Sequence, residues 1–193
     1  MINVQDHPGN TPLHIACENW PVSEGCVSLL VERGADVNQC NNDNSNPLHL
    51  LAHRLTDSNL DEAVLDAIIK ASHGRRNLLT SKNVHQTTPL FIAWQRMVDA
   101  PESAPLDVVF KFFLSRSPVS AMLSVGPHNM GVLEEALMHP EDYSGHIEAM
   151  VKRVPPQERP DFLCREDEPE DYGMSGLDPA EVQLWFVPQS SSN

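Results

Sequence analysis

Apolar residues in this chain recur at spacings of three and four over several short windows, the pattern of helices with one buried face. The clearest window is Leu60, Val64, Leu65, Ile68 and Ile69. The pattern predicts helices over Thr11–Asn19, Ser23–Arg33, Pro47–Arg54, Asn59–Ala71, Pro89–Met97 and Leu106–Ser115, and fainter ones over Val132–Met138 and Ser144–Val154. Trp20-Pro21 separates the first two, because proline disfavours helical backbone in the residue before it. No apolar run reaches the length needed to cross a membrane, and no secretory leader is visible.

Three of these helices begin alike. Asn10-Thr11-Pro12-Leu13-His14-Ile15-Ala16 returns as Asn46-Pro47-Leu48-His49-Leu50-Leu51 and again as Thr88-Pro89-Leu90-Phe91-Ile92-Ala93. Thr or Asn caps a helix, Pro at the first helical position forfeits no hydrogen bond, and Leu opens the buried face. A helix start that repeats within one chain implies stacked units, since one such unit cannot bury its apolar face alone.

After the first copy and the apolar helix Val27–Glu32 comes Gly34-Ala35-Asp36-Val37-Asn38. This pairing of a T-P-L-H start with a G-A-D-V-N exit resembles the ankyrin repeat. Pro12 and Pro47 lie 35 residues apart and Pro47 and Pro89 lie 42 apart, against about 33 for an ankyrin unit. The likeness is closest over Asn3–Ala52, extends to about Leu114 and thins beyond. It implies an all-α solenoid of about four irregular repeats over residues 1–154, in units of about 3–38, 39–76, 77–120 and 121–154. An acidic, Pro-containing extension, residues 155–193, follows, with the apolar segment Val182, Leu184, Trp185 and Phe186 near its end.

The chain opens at what resembles the tail of a unit's exit, Ile2-Asn3-Val4-Gln5-Asp6, with no helix pair before it to act as a cap. The resemblance therefore implies a fragment, or a longer array whose first repeat is missing. Hairpin tips are expected at Asp6–Gly9, Asn41–Asn44 and Lys82–Gln86. At the second tip, Asn stands where the family has Gly. Gly74 is expected to cap the helix that ends near Ala71.

Charge narrows the partner class. The 193 residues carry 13 Lys/Arg against 27 Asp/Glu, a net charge of −14. An acidic chain with no basic stripe along its sequence argues against nucleic acid and anionic membranes as partners. Cys17, Cys26, Cys40 and Cys164 form no C-x-x-C pair and no disulfide framework, consistent with a reduced, intracellular setting, cytoplasmic or nuclear.

Candidate chemistry is thin. His49 and His53 stand four apart on one predicted helix, as in a helical zinc site, but the Glu of H-E-x-x-H is missing. In the family the residue matching His14 and His49 bridges neighbouring units. Glu134-Glu135 adjoin, so they point to different sides of a helix and read as a solvated face rather than an acid–base pair. Glycine-rich nucleotide loops and the nucleophile elbow are absent from the sequence, and no cofactor or metal is implied.

The resemblance implies a protein-binding module or scaffold, not an enzyme, using the concave face made by hairpin tips and inner helices. It leaves open a regulatory or targeting part of a larger protein and, remotely, a metal-dependent enzyme built on His49 and His53. By position, the contact candidates at tips are His7, Asn42, Asp43, Val84 and His85, and on inner helices Glu18, Asn19, Arg54, Trp94 and Arg96. Trp94 stands where the family has a small residue. It either fills space in an enlarged third unit or serves as an aromatic anchor for a partner. The partner is another protein, and the chain itself is expected to be a monomer.

Overall fold

The computed structural model describes residues 2–72, 78–100, 106–127, 130–138 and 140–155. Among them lie α1 (Pro12–Glu18), α2 (Glu24–Glu32), α3 (Pro47–Arg54), α4 (Glu62–Ala71), α5 (Pro89–Asp99), α6 (Asp107–Arg116), α7 (Val119–Met122), α8 (Val132–Ala136) and α9 (Pro140–Arg153), and no strand. The acidic extension with Trp185 and Phe186, and the expected Gly74 cap, lie outside these residues.

The helices stack in two layers. The inner row runs α1, α3, α5, α8, each packed on the next, while α2, α4, α6 and α9 form the outer row. Leu13, Leu48, Leu90 and Leu133, each the second residue of its inner helix, are 0% exposed. One register therefore builds the core of all four units. Each helix pair buries a face only because its neighbour covers it, as expected for a solenoid.

A hairpin leads into each of the four pairs, and one hydrogen bond closes each. Backbone N–H groups of Asp6, Asn41, Asn83 and Gly126 donate to the carbonyls of Asn10, Ser45, Thr87 and Met130, at 2.8 to 3.1 Å. The residue three places into each of the first three hairpins takes positive φ: Gly9 at 81°, Asn44 at 54° and Gln86 at 62°. Asn tolerates this region through its short polar side chain, and glycine enters it freely. Gln86 has neither property, and the hairpin bonds of Asn83 on either side hold it there: its Oδ1 accepts from the N–H groups of His85 and Thr87 at 3.0 and 3.1 Å.

Inner-helix starts follow the expected chemistry. Side-chain oxygens of Thr11, Asn46 and Thr88 accept backbone N–H groups of the first turn. Helix α4 begins at Glu62 rather than Asn59, because Asp61 caps it by accepting from Ala63 and Val64. Asn59 stays in the loop, where its carbonyl accepts the Trp20 indole N–H at 2.9 Å. The spacing did not predict α7, a single turn. Helix α9 starts before Ser144 and has non-helical backbone at Tyr143.

The fourth unit is now in register. Gly131-Val132-Leu133-Glu134 occupies the place of Thr11-Pro12-Leu13-His14, so Glu134 is not a solvated face residue. Half-buried, it accepts the Gly131 N–H at 2.7 Å and does the capping that His14 does in the first unit.

Candidate functional site

The two repeated histidines are structural bridges. His14 Nδ1 accepts from the Thr11 N–H at 3.2 Å, which puts the ring proton on Nε2, 3.1 Å from the Ser45 carbonyl of the next unit. His49 repeats this with the Asn46 N–H at 3.2 Å and the Thr87 carbonyl at 3.1 Å. Burial lowers both pKa values, that of His49 to about 4, because a charged ring would be stranded in the stack. With both His49 nitrogens engaged, the His49/His53 pair has no ligand geometry in this conformation. Among the described residues no group of three His, Cys, Asp or Glu gathers as a metal site.

In the third unit Phe91 takes the histidine's place, and the residue it faces is glycine. A Cβ on Gly126 would sit 2.5 Å from Phe91 Cε2. The aromatic ring thus fills the space that the polar bridge spans in the first two units.

The tips are joined to one another. The Asn42 N–H donates to the Pro8 carbonyl at 3.0 Å, and the Val84 N–H to the Asp43 carbonyl at 2.9 Å. These bonds hold His7, Asp43, Val84 and His85 in one row with exposed side chains, Val84 at 53%. Asn42 lies in the row, but its side-chain amide donates to the His7 carbonyl at 3.0 Å and so serves the stack.

On the inner helices the candidates divide. Glu18 and Arg54 are exposed, 3.7 Å apart, at the ends of α1 and α3. Asn19 is exposed but folds back on its own helix, donating to the Ile15 carbonyl at 2.8 Å. Arg96 is a half-buried cap: its Nη1 donates to the carbonyls of Ala52 and Leu55, at 2.8 and 2.6 Å, where α3 ends. Burial and then the Arg54 charge lower its pKa.

Trp94 is no surface anchor. It is 1% exposed, with ring centroids 5.4 Å from Phe110 and 4.9 Å from Tyr143. Phe110 on α6 and Tyr143 on α9 cover it.

Two features escaped the sequence reading. Pro12, Ile15, Ala16, Asn19, Ser23, Cys26, Leu29 and Leu30 line an open, almost wholly apolar groove of about 460 Å³ on the outer side of α1 and α2. Ile15 and Leu29 are 44% and 48% exposed there. The second is a meeting of basic residues in an acidic chain. His53, Arg54, His85 and Arg96 come from α3, α5 and the hairpin between them. His53 is held below the usual imidazole value by burial first, then by the charges of Arg96, Arg54 and His85.

Residues 8–42 match the family model of the ankyrin repeat. No curated protein matches the chain. The four-unit helical stack agrees with an ankyrin solenoid. Ankyrin repeats in general mediate protein–protein interaction and are typically non-enzymatic, and the match supports that broad assignment. Among the described residues no helix is long and apolar enough to cross a membrane.

Proposed function

We propose that this ankyrin-repeat protein binds another protein along the concave face, through the row of hairpin tips and the adjoining ends of α1 and α3. The observation that supports the reading most is the tip-to-tip hydrogen bonding of Pro8 with Asn42 and Asp43 with Val84. A contact surface binds well when its residues are held in place beforehand, because less order remains to be imposed on association. Here the backbone is tied and the side chains of His7, Asp43, Val84 and His85 are left for contact. Glu18 and Arg54 extend the surface along the inner helices, while Trp94 and Arg96 support it from within.

The test is affinity capture with mass spectrometry, using wild type, an Asp43→Lys/Val84→Asp/Arg54→Glu variant and an outer-helix control, Lys111→Glu. The expected result is a protein retained by wild type and the control but lost by the folded tip variant. Retention by all three would reject the concave face.

A second reading, a regulatory or targeting part of a larger protein, is supported by the apolar groove on α1 and α2. Such a face suits a further helix pair.

A further inference from the structure

Position by position the first unit copies the second and third, but at one face it lacks what they have. The second residue of each later hairpin, Asn42 and Val84, donates its N–H to a carbonyl in the hairpin before, at 3.0 and 2.9 Å. The first-unit copy is His7, whose N–H has no partner among the described residues. The residue that closes each later hairpin, Ser45 or Thr87, accepts two hydrogen bonds at its carbonyl. One comes from its own hairpin and one from Nε2 of the preceding unit's histidine. The first-unit copy, the Asn10 carbonyl, accepts the Asp6 N–H and, among the described residues, nothing else. Apolar positions tell the same story. Pro47 and Pro89 are buried and Pro12 is not, while Ile92 is 2% exposed and its copy Ile15 is 44% exposed. Pro12 and Ile15 belong to the wall of the open groove on α1 and α2. A free donor, a carbonyl with room for a second bond and an uncovered apolar wall therefore share the face that, in the next two units, the preceding helix pair covers.

We infer that this face of the first unit docks a helix pair of the same kind, carried at the end of a partner protein's own array. The copies define the chemistry that the partner must bring. Its hairpin offers a carbonyl to the His7 N–H, its inner helix an uncharged imidazole N–H to the Asn10 carbonyl, and its apolar side chains fill the groove beside Ile15 and Leu29. The contact continues the interface by which α1 and α2 already hold α3 and α4. A second copy of this chain does not supply such a pair. Its fourth unit has Glu134 in the histidine's place, bound to the Gly131 N–H. Among that unit's described residues, the large apolar side chains left exposed are Val125 and Met138. The junction is thus head-to-tail between unlike chains, and it holds whether or not a partner uses the concave face.

The test uses the full chain and, as probe, a copy of residues 4–38 tethered ahead of it by a Gly/Ser linker of about 20 residues. Such a tether raises the effective concentration to about millimolar without imposing a register. The readout is hydrogen exchange at the His7 amide. Docking predicts that it slows about tenfold relative to the untethered chain, as for a millimolar effective concentration against a Kd near 0.1 mM. The ring N–H of the copied His14 should resist exchange as well. Both effects should vanish on Ile15→Lys in the receiving unit and survive Val98→Lys, a change at an exposed position on α5. No slowing in a protein with dispersed amide signals would overturn the inference, and so would slowing that survives Ile15→Lys. An untethered chain that dimerises in sedimentation and is dispersed by Ile15→Lys would assign the groove to a second copy and overturn it too. A longer product in the source cells that brings its own helix pair onto this face would also overturn it, and would instead bear out the larger-protein reading.

Discussion

His49 Nε2 lies 3.1 Å from the carbonyl oxygen of Thr87, and His14 makes the equivalent 3.1 Å bond to Ser45 one unit earlier. In both, the other ring nitrogen accepts the N–H of the helix cap. One neutral ring therefore closes a helix start and ties it to the next hairpin. That double duty requires the uncharged form, which makes the stack sensitive to acid.

Stability should fall as pH drops from about 6.5 towards 4. In that window the unfolded chain binds a proton at His49 that the native state refuses, so the contribution is full above the unfolded value and is lost towards the folded one, about 4. At about 1.4 kcal/mol per pKa unit the loss from His49 is of order 3 kcal/mol, and His14 shifts in the same direction. Urea unfolding at pH 7.5 and 4.5 would show it. The stability gap between wild type and His49→Gln should narrow at the lower pH, and a constant gap would contradict the bridging role.

Gly126→Ala should destabilise the fourth hairpin, since the new methyl would meet Phe91 Cε2 at 2.5 Å. Overpacking of this kind costs roughly 1–3 kcal/mol. Phe91→Leu withdraws the ring edge that the new methyl of Gly126→Ala would meet, so the two changes made together should relieve the clash. Thermal melts of the singles and the double should be non-additive by more than about 0.5 kcal/mol in favour of the double.

Trp94→Ala should cost about 3–5 kcal/mol, as truncation of a buried aromatic does. The ring is covered on both sides by Phe110 and Tyr143. Chemical denaturation measures this directly. Variants that remain folded at low temperature should keep partner binding, whereas an anchor would lose it without loss of stability.

Ile15→Lys and Ile92→Lys occupy one register position and should behave oppositely. Ile15 is 44% exposed and Ile92 2% exposed. The first should leave the midpoint of a thermal melt nearly unchanged. The second should unfold the chain or lower its midpoint by many degrees, because it buries an unpaired charge.

Local signals carried most of the fold. Thr11-Pro12-Leu13-His14 and its copy at Asn46 contain cap, start and bridge in four residues, so helix, register and stacking were legible together. The fourth unit was faint because Gly131-Val132-Leu133-Glu134 performs the same tasks with different groups. Glu134 replaces the histidine's cap, and Gly126 yields its side-chain space to Phe91. The tip row followed from register alone. The burial of Trp94 and the capping by Arg96 did not, since both depend on contacts made more than a unit away: Trp94 with Tyr143, and Arg96 with Ala52 and Leu55. The meeting of His53 with Arg96, 43 positions apart, was hidden for the same reason.

The tip-to-tip bonds have a consequence for how such a chain tolerates change in length. Hairpin closure spans four positions in every unit, yet the inner-helix prolines lie 35 and then 42 residues apart. The connection between inner and outer helix grows from Asn19–Ser23 in the first unit to Leu55–Asp61 in the second. Pitch is thus metered along one edge, and added residues are taken up elsewhere. Foreign peptides grafted between α3 and α4 should ride on the stack without disturbing its spacing, while a single residue inserted in a tip would throw every later unit out of step.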